Sequence, residues 1–240
     1  MGSSMVSQEI TQAVILAAGL GTRMLPLTKV MPKALLPLGM KPAIHWLVEE
    51  CLSSGIKDLV IVVSAHSPVK DYFLKDQWLY DHLRDKKSRA ELRALRQLDH
   101  FKGIRFAVQE PLLGEAHALS KALPLLRRGP FAVLFCDNLF KARVPATLQV
   151  TRLFQRHRMH VKSNGRYAFD YSIAGLLKAL PFQEFYQSSK RGMDLAWVFD
   201  QLQEGSQFIE KFVAGKRYNI GNPKQYARAF SVFSRESPGP

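Results

Sequence analysis

Cysteine is scarce in this chain: there are two among 240 residues, Cys51 and Cys136. Two thiols cannot build a disulfide framework, and their spacing matches no metal-ligand pattern. Both fall in apolar runs, which predicts buried, inert thiols and a reducing cytosol as the place of work. Long apolar runs are missing as well. No stretch approaches ~18 consecutive apolar residues, so no membrane span or membrane partner is expected. Residues 1–11 are polar and lack the basic start and apolar core of a signal peptide. With no internal repeat and no low-complexity linker, the reading is a single unit over 1–240, with 1–11 and 234–240 as flexible tails.

Negative charge is also in short supply: 20 acidic residues face 34 lysines and arginines, a formal net charge of +14. Such a balance favours any polyanionic ligand, a triphosphate included. Much of it sits in 84–96, where Arg84, Lys86, Lys87, Arg89, Arg93 and Arg96 interleave with Asp85 and Glu91. Leu92, Leu95 and Leu98 recur there at helical spacing, which predicts an amphipathic helix with a solvated basic face. No aromatics interleave to stack bases, so nucleic acid is not the expected partner.

What is present is alternation. Residues 13–17 (Ala-Val-Ile-Leu-Ala) and 59–63 read as buried strands, with a helix over 42–54 between them and Gly55 as its stop. Further strands are predicted at 104–108 and 131–135, with a helix over 115–126. After Phe140 the pattern is less regular: helices over 145–158, 171–180, 194–202 and 223–230, a strand over 166–169, and an extended stretch over 208–213. Strand, crossover helix, strand implies parallel pairing. The expected fold is therefore α/β and Rossmann-like: three layers, a mostly parallel central sheet and helices on both faces. In such folds ligands bind beyond the carboxyl ends of the strands.

The informative stretch follows the first strand: Leu16-Ala17-Ala18-Gly19-Leu20-Gly21-Thr22-Arg23-Met24, then Pro26, Pro32, Lys33 and Pro37. Two glycines let the backbone approach a ligand and turn its amides toward it. Thr22 adds a hydroxyl, Arg23 a guanidinium and Lys33 a mobile ammonium, which together suit a polyphosphate. It is not a dinucleotide fingerprint, since Met24 stands where G-x-G-x-x-G needs its third glycine. Nor is it a Walker loop, because no Gly-Lys-Ser/Thr follows.

Residues 16–37 resemble the signature of the sugar-1-phosphate nucleotidyltransferases, L-A-A-G-x-G-T-R-x-x-P-x-T followed by P-K-x-x-L-P. The likeness is to the bacterial UTP–glucose-1-phosphate uridylyltransferases in particular. It continues in Lys41-Pro42-Ala43-Ile44, in 109–118, in Cys136-Asp137-Asn138, in Gly165-Arg166-Tyr167 and in 218–226. The resemblance implies that Ala17, Ala18, Gly19, Gly21 and Thr22 hold the nucleotide, while Gln109 and Gly114 read its base. It implies that Arg23 holds the departing pyrophosphate and Lys33 the phosphates at the reacting centre. Asp137 would be the first Mg²⁺ ligand, and Asn138 and Gly165 would lie on the sugar side. The implied reaction joins a nucleoside triphosphate, UTP by the likeness, to a sugar 1-phosphate such as glucose 1-phosphate. Relatives often oligomerise, which leaves a homo-oligomer open by the resemblance, while the sequence itself is silent on assembly.

Two departures stand out. The family's second metal carboxylate precedes a glycine near the C-terminus, where this chain has Asn219 before Ile220-Gly221. An amide keeps an oxygen but loses the charge. The stretch 139–164 is also much shorter than in the family and lacks its sugar-gripping Val-Glu-Lys-Pro motif; Lys162 is the one candidate substitute, against an ordinary surface lysine. These departures motivate an alternative, a catalytically impaired relative that binds nucleotide as a regulator or partner subunit.

Overall fold

A computed structural model describes residues 9–202 and 207–236. The chain opens with β1 (Gln12–Leu16), then a loop of three 3-10 turns and the short pair β2 (Pro37–Leu38) and β3 (Lys41–Pro42). Next come α1 (Ala43–Ser53), β4 (Asp58–Ser64), α2 (Gln77–Asp85), α3 (Arg89–Arg96), β5 (Ile104–Gln109), α4 (Glu115–Ala122) and β6 (Phe131–Phe135). Then follow β7 (Asn138–Lys141), α5 (Ala146–His157), β8 (His160–Lys162), β9 (Arg166–Phe169), α6 (Ile173–Ala179), α7 (Phe182–Ser189) and α8 (Leu195–Gln201). The chain ends with β10 (Phe208–Glu210), β11 (Lys216–Asn219) and α9 (Pro223–Phe233).

Seven strands form one sheet in the order β10-β8-β9-β6-β1-β4-β5. Four of its six pairings are parallel, and only β9 runs against its neighbours. Every residue of β1 is buried, because strands flank it on both sides and helices cover it above and below. Ala13 and Ile15 join a core with Ile44, Leu47 and Val48 of α1 and Val150 and Phe154 of α5. Val14 and Leu16 point the other way, to Leu119 of α4, Leu177 of α6 and Phe199 of α8. This is why the strand reads as an unbroken apolar run: both faces are interior. A third core, with Met24, Leu36, Leu38, Leu139, Ile220 and Phe233, seats the loop after β1 against β7 and α9.

Local chemistry sets the boundaries. Asp194 caps α8 by accepting from Trp197 N at 2.9 Å, and Asn222 caps α9 by accepting from Gln225 N at 3.0 Å, with Pro223 first in the helix. Some expectations need correcting. The predicted basic helix is two, because Lys87 turns to φ 57° between α2 and α3. Leu52, near the end of α1, is 39% exposed despite its apolar side chain. The tails are shorter than read: Ile10 is buried, the Thr11 carbonyl accepts from Lys57 N and Asp58 N, and Ser234–Glu236 forms a turn. The rest of both, 1–8 and 237–240, lies outside the described residues.

An ion pair inside the core ties the two sides of the fold together. The Arg166 side chain on β9 is 1% exposed and donates to both oxygens of Glu50 on α1, Nε at 2.8 Å and Nη2 at 2.7 Å. Its Nη1 donates to the carbonyls of Asn138 and Gly165 at 2.9 and 2.8 Å. Glu50 also accepts from the amide and hydroxyl of Thr147 at 2.9 and 2.6 Å, at the start of α5. Burial raises the Glu50 carboxyl, but the Arg166 charge and the bonds from Arg166 and Thr147 outweigh it and hold it below 4.5. A lowered folded value means the pair stabilises the fold above that pH, and the contribution drains away as pH falls through the folded value. Removing one partner of a buried pair leaves the other uncompensated. Glu50→Ala should therefore lower the unfolding free energy at neutral pH by about 3–5 kcal/mol in urea titration. The gap to the parent protein should narrow as the pH drops below 4.5.

Candidate active site

The parallel strands β1, β4, β5 and β6 end on one edge of the sheet. From β1 the chain adds β4 and β5 on one side, then returns to place β6 on the other. The ends of β1 and β6 are thus the switch point at which α/β sheets open a crevice. A cleft of about 490 Å³ lies there, lined by Gly19, Gly21, Thr22, Lys33, Gln109 and Asp137 among others. A larger hollow of about 720 Å³, walled by Trp46, Phe140 and Phe233, lies away from the strand ends and gathers none of these residues.

Ala17 extends the β1 ladder by donating to Val62 O at 2.8 Å, and Ala17 and Ala18 are both buried. The chain leaves the sheet at Gly19. Gly21 has φ 66°, where a side chain would be strained, and would press on Thr28 Cγ2 at 3.1 Å. Its carbonyl accepts from Thr28 Oγ1 at 2.9 Å. The turn leads into a 3-10 turn at Thr22–Met24 and not into a helix, so any anion here meets loop amides without a helix dipole.

Lys33 reaches across to the end of β6, its Nζ 2.6 Å from Asp137 Oδ2. Burial alone would lower the Lys33 pKa, but Cys136 and Asp137 outweigh it and hold it above 10.5. Burial also pushes the Cys136 thiol up to about 12, so it is neutral at ordinary pH and Asp137 supplies the charge that matters. A methyl group added to Gly221 would meet Asn219 Oδ1 at 2.7 Å, Arg23 Nη2 at 2.9 Å and Asp137 Oδ2 at 3.4 Å. Arg23, Lys33, Asp137 and Asn219, far apart in sequence, therefore converge on one point. A relay of amides orders them. Asn138 Nδ2 donates to Asp137 Oδ1 at 2.9 Å, Asn219 Nδ2 donates to Asn138 Oδ1 at 3.2 Å, and Gly221 N donates to Asn219 Oδ1 at 2.7 Å.

Gln109, at the end of β5, is buried and donates from Nε2 to Gly114 O at 2.8 Å. Gly114 has φ 104°, and a side chain there would fall onto the backbone of Gly192 and Met193. Two backbone bonds close this crossing, Ala116 N to Met193 O at 3.0 Å and Met193 N to Leu113 O at 2.9 Å. Sequence reasoning missed this strap, and it missed Glu115, which lines the cleft and accepts from Leu195 N at 3.2 Å. Burial, with Asp194 and Asp137 adding to it, raises the Glu115 carboxyl above 4.5. The signal was the unpaired acid in Leu-Gly-Glu-Ala, but only the fold brings Asp194 to it.

The sugar side is sparser. Asn138 spends its amide on Asp137 and Asn219, Gly165 packs against the Asn138 side chain, and neither lines the cleft. The stretch 139–164 goes into β7, α5 and β8, and α5 buries Val150 and Phe154 in the core. Lys162 lies 3.2 Å from Glu210 Oε2 on the paired strand β10, as a surface ion pair. Among the described residues no group of three or more His, Cys, Asp or Glu side chains could hold a metal.

Residues 12–170 match the family described as nucleotidyl transferase. A UTP–glucose-1-phosphate uridylyltransferase of Bacillus subtilis is 36% identical over 148 residues, 61% of this chain and 50% of that protein. One from Staphylococcus saprophyticus is 35% identical over 148 residues, 61% of this chain and 52% of its own length. The chain thus spans about half the length of the curated relatives it matches. A solved UDP-glucose pyrophosphorylase from Acinetobacter baumannii shares the fold with a TM-score of 0.85 at 21% identity, covering 95% of both chains. A UDP-glucose pyrophosphorylase complexed with UDP-glucose superposes with a TM-score of 0.80 at 21% identity, over 95% of this chain and 99% of that one.

The Gly114 crossing makes a direct test of the cleft's frame. Gly114→Ala combines a left-handed backbone with a backbone clash, so it should destabilise by roughly 1–3 kcal/mol or more. A thermal melt close to the parent's would show that the strap is not held as described.

Proposed function

The chain belongs to the nucleotidyl transferase family, and from that premise we propose that it joins UTP to glucose 1-phosphate, releasing pyrophosphate. The observation that carries this reading is the meeting of Arg23, Lys33, Asp137 and Asn219 around Gly221, beside the glycine loop that lines the switch-point cleft. The names of the relatives at 35–36% identity supply the base and the sugar.

In this reading the amides from Gly19 to Thr22 cradle the triphosphate, with Ala17 and Ala18 forming the floor and Gln109 and Gly114 the base end. Arg23 holds the departing pyrophosphate. Lys33, kept charged by Asp137, neutralises charge building on the reacting phosphate. The nucleophile is a sugar phosphate oxygen, and with a second phosphate pKa near ~6 it is already ionised at neutral pH. No general base is required, so catalysis is positioning plus charge neutralisation.

Asp137 and the Asn219 amide oxygen offer hard oxygen donors, which suit Mg²⁺ when phosphates and water complete its shell. We assign Mg²⁺ to these two residues; when bound, it supplies further charge neutralisation at the phosphates. Asn219 contributes no charge, and no residue of 139–164 lines the cleft. Those two facts favour, as the second reading, a relative that binds nucleotide with little or no turnover.

Incubating the pure protein with Mg²⁺, UTP and glucose 1-phosphate should release pyrophosphate. Silence with every pyrimidine triphosphate and several sugar phosphates, together with thermal protection by UTP, would select the second reading. Lys33→Gln should lower turnover by about 10²–10³-fold, the scale of losing one preorganised charge contact. Asn219→Asp adds a unit charge near the metal, worth about 1–4 kcal/mol at ~4 Å. It should therefore raise kcat by roughly tenfold or more in an active transferase, and should leave an inactive relative inactive.

A further inference from the structure

Gln109 is only 4% exposed, so few of its bonds are negotiable. Besides the bond to Gly114 O, its Nε2 lies 3.3 Å from Nδ1 of His117 on α4. A carbonyl can only accept, so the amide nitrogen must be the atom that faces Gly114. The flipped amide would set two oxygens against each other. The second amide hydrogen then points at His117 Nδ1, which must present a lone pair, and so the imidazole is neutral. Burial, helped by the charge of Lys121, lowers the His117 pKa and favours that state.

Both anchors are themselves held. The Gly114 carbonyl also accepts from Ala118 N at 3.0 Å, and the Met193 strap fixes its backbone. His117 is 6% exposed and packs on Phe182 with ring centroids 5.1 Å apart. The two hydrogens of the Gln109 amide are therefore both used inside the protein. Its Oε1 has no hydrogen bond among the described residues, and the residue lines the cleft. What the side chain has left to offer a ligand is an acceptor and nothing else.

We propose that His117 is a positioning residue: with the Gly114 carbonyl it pins Gln109 so that only Oε1 faces the ligand, and the cleft therefore takes pyrimidines that present a ring N–H, uracil or thymine, and rejects cytosine. Cytosine carries a lone pair at the corresponding ring nitrogen, so two acceptors would meet in a desolvated place. The inference rests on the proposed function, in which Gln109 meets the base.

The test is calorimetric binding of UTP, dTTP and CTP with Mg²⁺ to the full chain and to two variants. His117→Asn keeps an acceptor oxygen near the place of Nδ1, whereas His117→Leu keeps bulk and loses the acceptor. In the parent and in His117→Asn, UTP and dTTP should bind more tightly than CTP by roughly tenfold or more. In His117→Leu that ratio should shrink toward one, because Gln109 has lost one of its two anchors. The ratio is taken on a single sample, so a partly unfolded fraction cancels from it. Should the leucine variant not fold, the ratios of the parent and of His117→Asn decide. Equal binding of UTP and CTP by the parent would overturn the inference and leave the transferase reading standing. An unchanged ratio in His117→Leu would remove the role given to His117. Binding of none of the three nucleotides would overturn the proposed function and this inference with it.

Discussion

A guanidinium with almost no contact with water cannot be left unpaired, and Arg166 answers that demand with four hydrogen bonds. Two go to Glu50 and two to backbone carbonyls, so α1, β9 and the ends of the β7 and β8–β9 connections are fixed to one plane. One of those carbonyls belongs to Asn138, whose side chain grips Asp137 and Asn219. The position of the Asp137 carboxylate is thus inherited from a charge in the core, one residue removed. Replacing such a pair with apolar residues can be neutral for stability. Here that swap would also free the Asn138 carbonyl, so the pair's role in geometry is separable from its role in stability.

Much of the fold was legible because its elements are interior. β1, β4 and β6 are apolar runs with buried interiors, and the edge strand β5 and the short β9 read through on their apolar and aromatic residues. β7, β8 and β11 did not: they are three or four residues long, and Lys141, Lys162, Lys216 and Arg217 interrupt any alternation. α7 has no buried residue, so no face of it announces itself. The same division holds in the candidate site. The glycine loop, Lys33 and Asp137 are local words that a sequence can spell. Glu50 and Arg166 are 116 residues apart, and the meaning of each exists only beside the other. The Gly114–Gly192 crossing and the approach of Asp194 to Glu115 are hidden for the same reason.

Asn219 looked from the sequence like a carboxylate lost. In the folded chain its amide has acquired a donor's task, since Nδ2 gives a hydrogen to Asn138 Oδ1 while Oδ1 takes one from Gly221. A carboxylate can perform only the second of these. Asn219 and Asn138 therefore form a matched pair of amides, each oriented by the other. The short 139–164 stretch tells a related story. It was spent on α5 and its bonds to Glu50, on architecture and not on lining the cleft.

The place where Gly114 and Gly192 pass admits no side chain on either strand of chain. Mechanically it is a pinned joint: the Gly114 end of the cleft and the stretch leading into α8 cannot slide apart without breaking both Met193 bonds. Whatever displaces the one must carry the other, and α8 carries Val198 and Phe199 of the second core with it. A ligand settling at Gly114 would therefore be felt beneath α8, on the face of the sheet that α4 shares, as a change in packing transmitted through backbone and not through any chain of side-chain charges.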